Sequence, residues 1–388
     1  MFFRLNANEG WAVMAERMQF IMVGGFLGAG KTTLIARIAA IYQRQGLSVG
    51  VVTNDQASDL VDTQLLRELG FDVSEVAGSC FCCNFDGLQD AIGRLADGRR
   101  PDVVIAEPVG SCTDLVATIA LPMQDMLGEQ FTICPYAVLI KPAHGMKILA
   151  AMDQAGEAEP ARRGGFSPEA AYIFHKQLEE ADLLLLNRCD ELTESEMTAI
   201  EDVLRRQYPN KPLLRVSARA GTNVEDLAAR LLSGERNSRS LMEVDYDTYA
   251  AGEAELGWLN AAVELTATRP MNMDSLLNSL ASRIRNRCVE VEAEIAHLKL
   301  TSDCEEGFAV CNVVSNDTPP MLTLESNAET TYLCLTVNAR VAIDPEELQS
   351  IVMASLKHES SVIGAELRVV SVRSFRPGRP IPTHRVTG

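Results

Sequence analysis

No stretch of this chain approaches the roughly 20 uninterrupted apolar residues that a membrane-crossing helix needs, so a spanning protein is excluded. Basic residues are outnumbered. The 35 Lys and Arg face 53 Asp and Glu, a net charge of −18, and such a surface repels phosphate backbones. Nucleic acid is therefore not an expected partner without a local basic patch. Cysteine is too thin for a disulfide scaffold at ten in 388 residues. The five histidines are scattered and none has ligand spacing. The opening MFFRLNANEGWAVMAER has neither a long apolar core nor a small-residue cleavage site, so the expected location is the cytoplasm. Internal repeats and low-complexity tracts are absent as well.

What is present is a chain of two-domain length with the composition of a soluble globular protein. Residues 1–18 match no element and read as an extension. From 19 to 235 short apolar runs alternate with amphipathic stretches: FIMVG (20–24), LSVGVVT (47–53), DVSEVAG (72–78), DVVIAE (102–107), YAVLIK (136–141), ADLLLLN (181–187) and PLLRVSA (212–218). Near-continuous β-branched runs are strands buried on both faces, which predicts an α/β domain around a mainly parallel sheet. The Gly/Pro/Ala-rich segment 142–168 is expected to be an insertion or mobile loop, and the polar stretch 236–257 a linker. Residues 258–388 then read as β-α-β-β-α-β, a smaller α+β domain of ferredoxin-like order, closed by a basic, proline-bearing tail expected to be extended.

Gly25-Phe-Leu-Gly28-Ala29-Gly30-Lys31-Thr32 fits G-x-x-x-x-G-K-[ST] between a strand and a helix, the context that motif needs. The glycines let backbone N–H groups cradle phosphates at a helix N-terminus. Lys31 can reach the β- and γ-phosphates, and Thr32 can join a magnesium shell. Asn187-Arg188-Cys189-Asp190 looks like the guanine-reading N-K-x-D motif with Arg for Lys. The Asp190 carboxylate can accept from guanine N1–H and N2–H₂, a donor pair that adenine lacks. Ser217-Ala218 follows thirty residues on, where a loop backs the base. The nucleotide is thus expected to be GTP. Glu107, ahead of Gly110 in an E-x-x-G, with Asp55 and Asp62, supplies candidate carboxylates for magnesium or the attacking water. All sit at carboxyl ends of strands, where parallel sheets bind ligands. Lys31, Asp55 and Glu107 are the catalytic candidates.

Cys80, Cys82 and Cys83 crowd into four residues after a strand. Three such thiols can bind one soft or borderline cation, form a redox pair, or pack as small hydrophobes. The loop is expected to be exposed, which favours the metal. Cys112 follows closely behind Glu107 and has either of two places, beside the cluster or alone in the core, and the core is the expectation. The other cysteines have no metal spacing.

The ordered set GGFLGAGKTT, ND, GSCFCC, EPVG and NRCD resembles the CobW/HypB/UreG family of P-loop GTPases, in its CobW-like branch. That resemblance implies slow GTP hydrolysis coupled to delivery of zinc, cobalt, nickel or iron into a client protein, with zinc or cobalt favoured. It implies Cys80, Cys82 and Cys83 as the metal site, and a nucleotide-dependent homodimer as the working form. By motif, Gly28, Gly30, Lys31, Thr32 and Thr33 hold phosphates and magnesium, Glu107 and Gly110 sense the γ-phosphate, and Asn187 with Asp190 reads guanine. Two departures stand out. The family's His-rich stretch is missing between His175 and His297, and Lys141 ends a strand where that branch commonly has Asp. They suggest a divergent subgroup serving a corrinoid methyltransferase or a metal-dependent hydratase. Two rivals remain: a chaperone gating a cobalamin enzyme without carrying metal, and a P-loop kinase acting on a small molecule.

Overall fold

The computed structural model describes residues 17–55, 61–97, 99–153, 167–234 and 241–387, with side chains left undescribed at a few of these positions, among them Asp55 and His144. Each apolar run named above becomes a strand of one parallel sheet. In chain order these are β1 (Met18–Gly25), β2 (Val49–Asp55), β3 (Asp72–Ala77), β4 (Val103–Glu107), β5 (Phe131–Ile133), β6 (Ala137–Ile140), β7 (Leu183–Leu186) and β8 (Leu213–Arg215). The spatial order is β3-β2-β4-β1-β6-β7-β8, with the short β5 also pairing β1. Helices cover both faces, so β1, β4, β6 and β7 are apolar and buried at nearly every position. Sequence reading passes over β5 because three residues are too few to show a pattern.

Two expectations are corrected. Residues 142–153, read as part of a loop, form the helix Pro142–Asp153, while 154–166 lie outside the described residues. The stretch read as a linker contains the helix Tyr246–Ala254. Its Tyr249 is fully buried, and Gly252 lets it cross the helix Pro168–Glu180: a Cβ there would stand 2.4 Å from the Glu169 carbonyl oxygen.

The second sheet is antiparallel: β9 (Gly257–Asn272), β10 (Ile295–Cys304), β11 (Gly307–Val313), β12 (Met321–Leu324), β13 (Glu329–Val341) and β14 (Ala365–Phe375), in the order β12-β11-β10-β13-β9-β14. Stripped of the edge strands β11 and β12, the β-α-β-β-α-β unit has its fourth, first, third and second strands side by side, the ferredoxin-like arrangement expected. One face carries Leu298 and Leu300 of β10, Leu335, Val337 and Ala339 of β13, and Leu259 and Ala261 of β9, packed with the helices Met273–Glu290 and Pro345–Ile363. Side chains alternate, so His297, Lys299, Asn338, Arg340 and Trp258 project from the other face. They are adjacent in register: His297 pairs Arg340, Lys299 pairs Asn338, and Arg340 pairs Trp258. Four of the five, all but His297, are buried. That polar face is covered by the nucleotide end of the first sheet.

Candidate functional site

The glycine loop between β1 and the helix Lys31–Arg44 has Gly28 and Gly30 in the left-handed region, at φ 70° and 96°. A Cβ on Gly30 would stand 2.6 Å from Asn187 Nδ2, so space as well as torsion demands glycine. Gly30 offers no side-chain cap, which leaves the first-turn N–H groups of the helix to an anion. Lys31 Nζ curls back to the Gly25 carbonyl at 3.0 Å. Thr32 Oγ1 lies 2.5 Å from Asp62 Oδ1 and donates at 3.0 Å to Glu107 Oε1. Glu107 Oε2 is buried with no hydrogen-bond partner, an oxygen that fits a cation ligand. The donor set around Thr32 therefore suits magnesium. Burial, and then the charge of Asp62, push Glu107 up to about 7. Burial alone would raise Asp62 too, but the nearby Lys299 ammonium holds it well below the usual carboxylate range. The Asp55 side chain lies outside the described residues.

At the other end of the loop Asn187 ties three segments together. Its Nδ2 donates to Ala29 O at 2.7 Å, and its Oδ1 accepts from Ala218 N at 3.0 Å. Ser217 Oγ in turn accepts from Ala220 N at 2.9 Å. Asp190 is exposed, leaving its carboxylate open to a base. Arg188, in place of the usual Lys, pairs with Glu191 at 3.1 Å. Thr33 and Ala29 line the same cavity of about 590 Å³.

The second sheet forms the opposite wall of that cavity, through Trp258, His297, Lys299, Asn338 and Arg340. Lys299 Nζ pairs with Asp62 Oδ1 at 2.5 Å, and Lys141 donates to the Val314 carbonyl. Desolvation holds His297 down at about 3, so it is neutral near pH 7. None of these second-sheet residues carries a motif. Their one sequence signal is a charged residue alternating with Leu in HLKL, which reads as a solvent-facing edge.

The cysteine loop is held to the nucleotide side by Asn54, whose carboxamide donates to Val76 O at 2.8 Å and Ser79 O at 2.7 Å and accepts from Phe81 N at 2.8 Å. Cys80 Sγ lies 3.1 Å from both Cys82 Sγ and Cys83 Sγ, and the last two are 3.8 Å apart. One cation can take all three. The loop is not exposed, as expected from sequence, but covered: Cys80 and Cys82 are buried, and the C-terminal tail lies over them. Thr383 N donates to Cys82 O at 2.7 Å, and Ile381 N to Cys83 Sγ at 3.2 Å. Cys112 is buried in the same apolar core as Cys80 and Cys82. Hydrogen bonds from Cys112, Cys82 and Cys83 hold Cys80 far below the ordinary thiol range, while the Cys80 bond pushes Cys83 up to about 11.

Residues 19–215 match the family model described as CobW/HypB/UreG, nucleotide-binding domain. Among curated proteins, the chain is 25% identical over 274 residues to the zinc chaperone CobW of a Sinorhizobium species, covering 65% of this chain and 75% of that one. It is 23% identical over 225 residues to the zinc-regulated GTPase metalloprotein activator 1 of Dictyostelium discoideum, covering 52% of this chain but only 46% of the relative. Among solved structures, HypB from Helicobacter pylori in complex with nickel overlaps 60% of this chain and 96% of its own, at 17% identity and a TM-score of 0.41.

Proposed function

The chain belongs to the CobW/HypB/UreG family of P-loop GTPases, and on that premise we propose that it hydrolyses GTP to govern the hand-over of a transition metal to a client protein. The observation that carries this reading is Asn54. One carboxamide at the end of β2, beside Asp55 and lining the nucleotide cavity, makes three hydrogen bonds to the segment bearing the thiols. A nucleotide that orders this strand end therefore pulls on the cysteine loop. Thr32, Asp62 and Glu107 would hold magnesium, which would supply charge neutralisation for the phosphates. Lys31 and the glycine-loop N–H groups orient the γ-phosphate. Glu107, poised near neutrality at about 7, can hold or give up a proton as that charge arrives. Asn187 fixes the base loop against the phosphate loop, and Asp190 selects guanine. The names of the relatives point to zinc as the cargo. The client is a metalloenzyme or a corrinoid protein, and the GTP-bound form is a homodimer.

Linkage supplies the test. If GTP tightens metal binding tenfold, metal must tighten GTP binding tenfold, a coupling of about 1.4 kcal/mol. Zinc is titrated into the full chain with and without a non-hydrolysable GTP analogue, and the oligomer is sized in the same samples. Cys82→Ser is expected to weaken zinc binding and abolish the coupling. Equal zinc affinities in both nucleotide states would remove the GTP-gated reading and favour a GTPase chaperone of a corrinoid methyltransferase system that carries no metal itself.

A further inference from the structure

We propose that the seat of the C-terminal tail is a peptide-docking surface over the thiol loop. Residues 376–387 fill it in the free chain, and a client protein takes it over with an extended, arginine-bearing segment to reach the metal; the inference rests on the metal-handling reading above. The tail leaves β14 after Phe375 and enters no further helix or strand among the described residues. Pro377, Pro380 and Pro382 hold its backbone extended. Its main chain then meets the loop. Ile381 N donates to Cys83 Sγ at 3.2 Å, Thr383 N to Cys82 O at 2.7 Å, and Val386 N to Ala117 O at 2.9 Å. These donors are backbone N–H groups, which any residue other than proline carries.

One side chain sets which segment fits. Arg385 Nε bonds to Asp114 Oδ2 at 2.7 Å, and its Nη2 donates to the Met242 carbonyl at 3.1 Å. Asp114 is buried, stands in the left-handed region at φ 64°, and keeps Oδ1 buried with no hydrogen-bond partner. A carboxylate so deeply buried needs a cation beside it, so whatever replaces the tail must bring one. His384 adds an edge-on contact with the Phe85 ring at 5.0 Å, and Arg379 pairs with Asp247 at 2.7 Å. In a chain of net charge −18 this segment carries Arg376, Arg379 and Arg385 and no acid. The segment that fits the seat is therefore extended and basic.

Metal traffic needs this seat to open. Cys80 and Cys82 are buried, and their other neighbours are core: Phe81 and Phe85 are fully buried in the same apolar cluster. The tail is the shallow cover. Of residues 376–387 only Pro377 and Pro380 are buried, and Ile381, whose amide meets Cys83, is 72% exposed. A segment held by so few apolar contacts opens far more readily than a core element does. The seat also adjoins the nucleotide. Asp114 follows Gly110 on one short segment, and a Cβ on Gly110 would stand 3.0 Å from Lys31 Nζ.

The test uses the reduced full-length chain. Alkylation rates of Cys82 and Cys83 are followed by peptide mass spectrometry without metal, and zinc release from the loaded chain by capture with a chelating dye. Ile381→Pro with Thr383→Pro removes both donors to the loop, and Arg385→Ala removes the cation at Asp114. Each change is expected to speed alkylation and zinc release roughly tenfold, the scale of one charged hydrogen bond or two ordinary ones, with Arg385→Lys close to the unaltered chain. A synthetic peptide of residues 376–387, at millimolar concentration to match a tethered segment, should slow alkylation of the Arg385→Ala chain again. The same peptide carrying Arg385→Ala should not. Circular dichroism checks folding. If the variants unfold, hydrogen exchange of the Ile381, Thr383 and Val386 amides in the unaltered chain decides: protection upholds the seat, and exchange as fast as in the free peptide overturns it. Unchanged rates in both folded variants, or a peptide that shields nothing, would overturn the docking surface and leave metal handling standing. Shielding that is lost in the variants of a chain that binds no zinc would uphold the seat and overturn metal handling.

Discussion

Asp190 is the residue on which the proposed preference for guanine rests. It stands exposed after Arg188, whose backbone takes the left-handed conformation at φ 61°, and Asn187 anchors that turn to Ala29 and Ala218. Asp190→Asn is expected to weaken GTP by about 1.5–3 kcal/mol, the scale of hydrogen bonds to a charged group, or roughly tenfold to a hundredfold. Xanthosine triphosphate should gain, because xanthine presents a carbonyl where guanine has its amino group. Competition between the two nucleotides, measured by calorimetry, checks this; unaltered GTP affinity would mean that the base is read by other residues. The thiols belong to this scale as well. Cys80, Cys82 and Cys83 are legible as a cluster because they adjoin in sequence.

Among the elements, the helix Pro168–Glu180 carries a burden that its sequence conceals. Its last residue, Glu180, is buried and accepts from Thr113 Oγ1 at 3.2 Å and Val116 N at 3.1 Å, bracing the segment that follows Gly110. Burial pushes Glu180 up to about 8 from an ordinary 4.5, so the folded state binds this proton more tightly than the unfolded chain does. The sign follows: its contribution to stability is complete below about pH 4.5 and is lost as the pH rises through about 8. Urea midpoints measured across that range should fall, and Glu180→Gln should flatten the decline. Glu253, also raised to about 8, should keep some slope in the variant. A slope identical to that of the unaltered chain would mean that Glu180 is ionised in the fold.

For the whole molecule the decisive contact is between sheets. Lys299 of β10 places its ammonium on Asp62, the same carboxylate that bonds to Thr32, at the point where magnesium charge is expected. A cation and a lysine that share one oxygen compete. Lys299→Met is expected to lower, several-fold, the magnesium concentration needed for half-saturation with GTP, since an ion pair with one partner about 32% exposed is worth about 1 kcal/mol at most. Magnesium titrations at fixed GTP check it, and an unchanged requirement would take Asp62 out of the magnesium shell. The tail ties the far side: Arg385 bonds to Asp114 at 2.7 Å and Arg379 to Asp247 at 2.7 Å, across the cysteine loop.

Sequence alone was enough for the phosphate-loop motif, the N-x-x-D motif at Asn187 and Asp190, the adjacent thiols, seven strands of the parallel sheet and the β-α-β-β-α-β order of the second. These depend on neighbours in the chain: glycine torsions, alternation, apolar runs and turn chemistry. Tertiary structure decided the rest. Alternation in β10 and β13 shows that His297, Lys299, Asn338 and Arg340 share a face, but not what covers it; docking on the nucleotide cavity turns an apparent solvent face into a wall. Likewise 236–257 is polar enough to pass for a linker, yet Tyr249 buries a whole ring within it. The tail meets the cysteine loop only after a long loop closes, and no local pattern encodes a partner that distant in the chain.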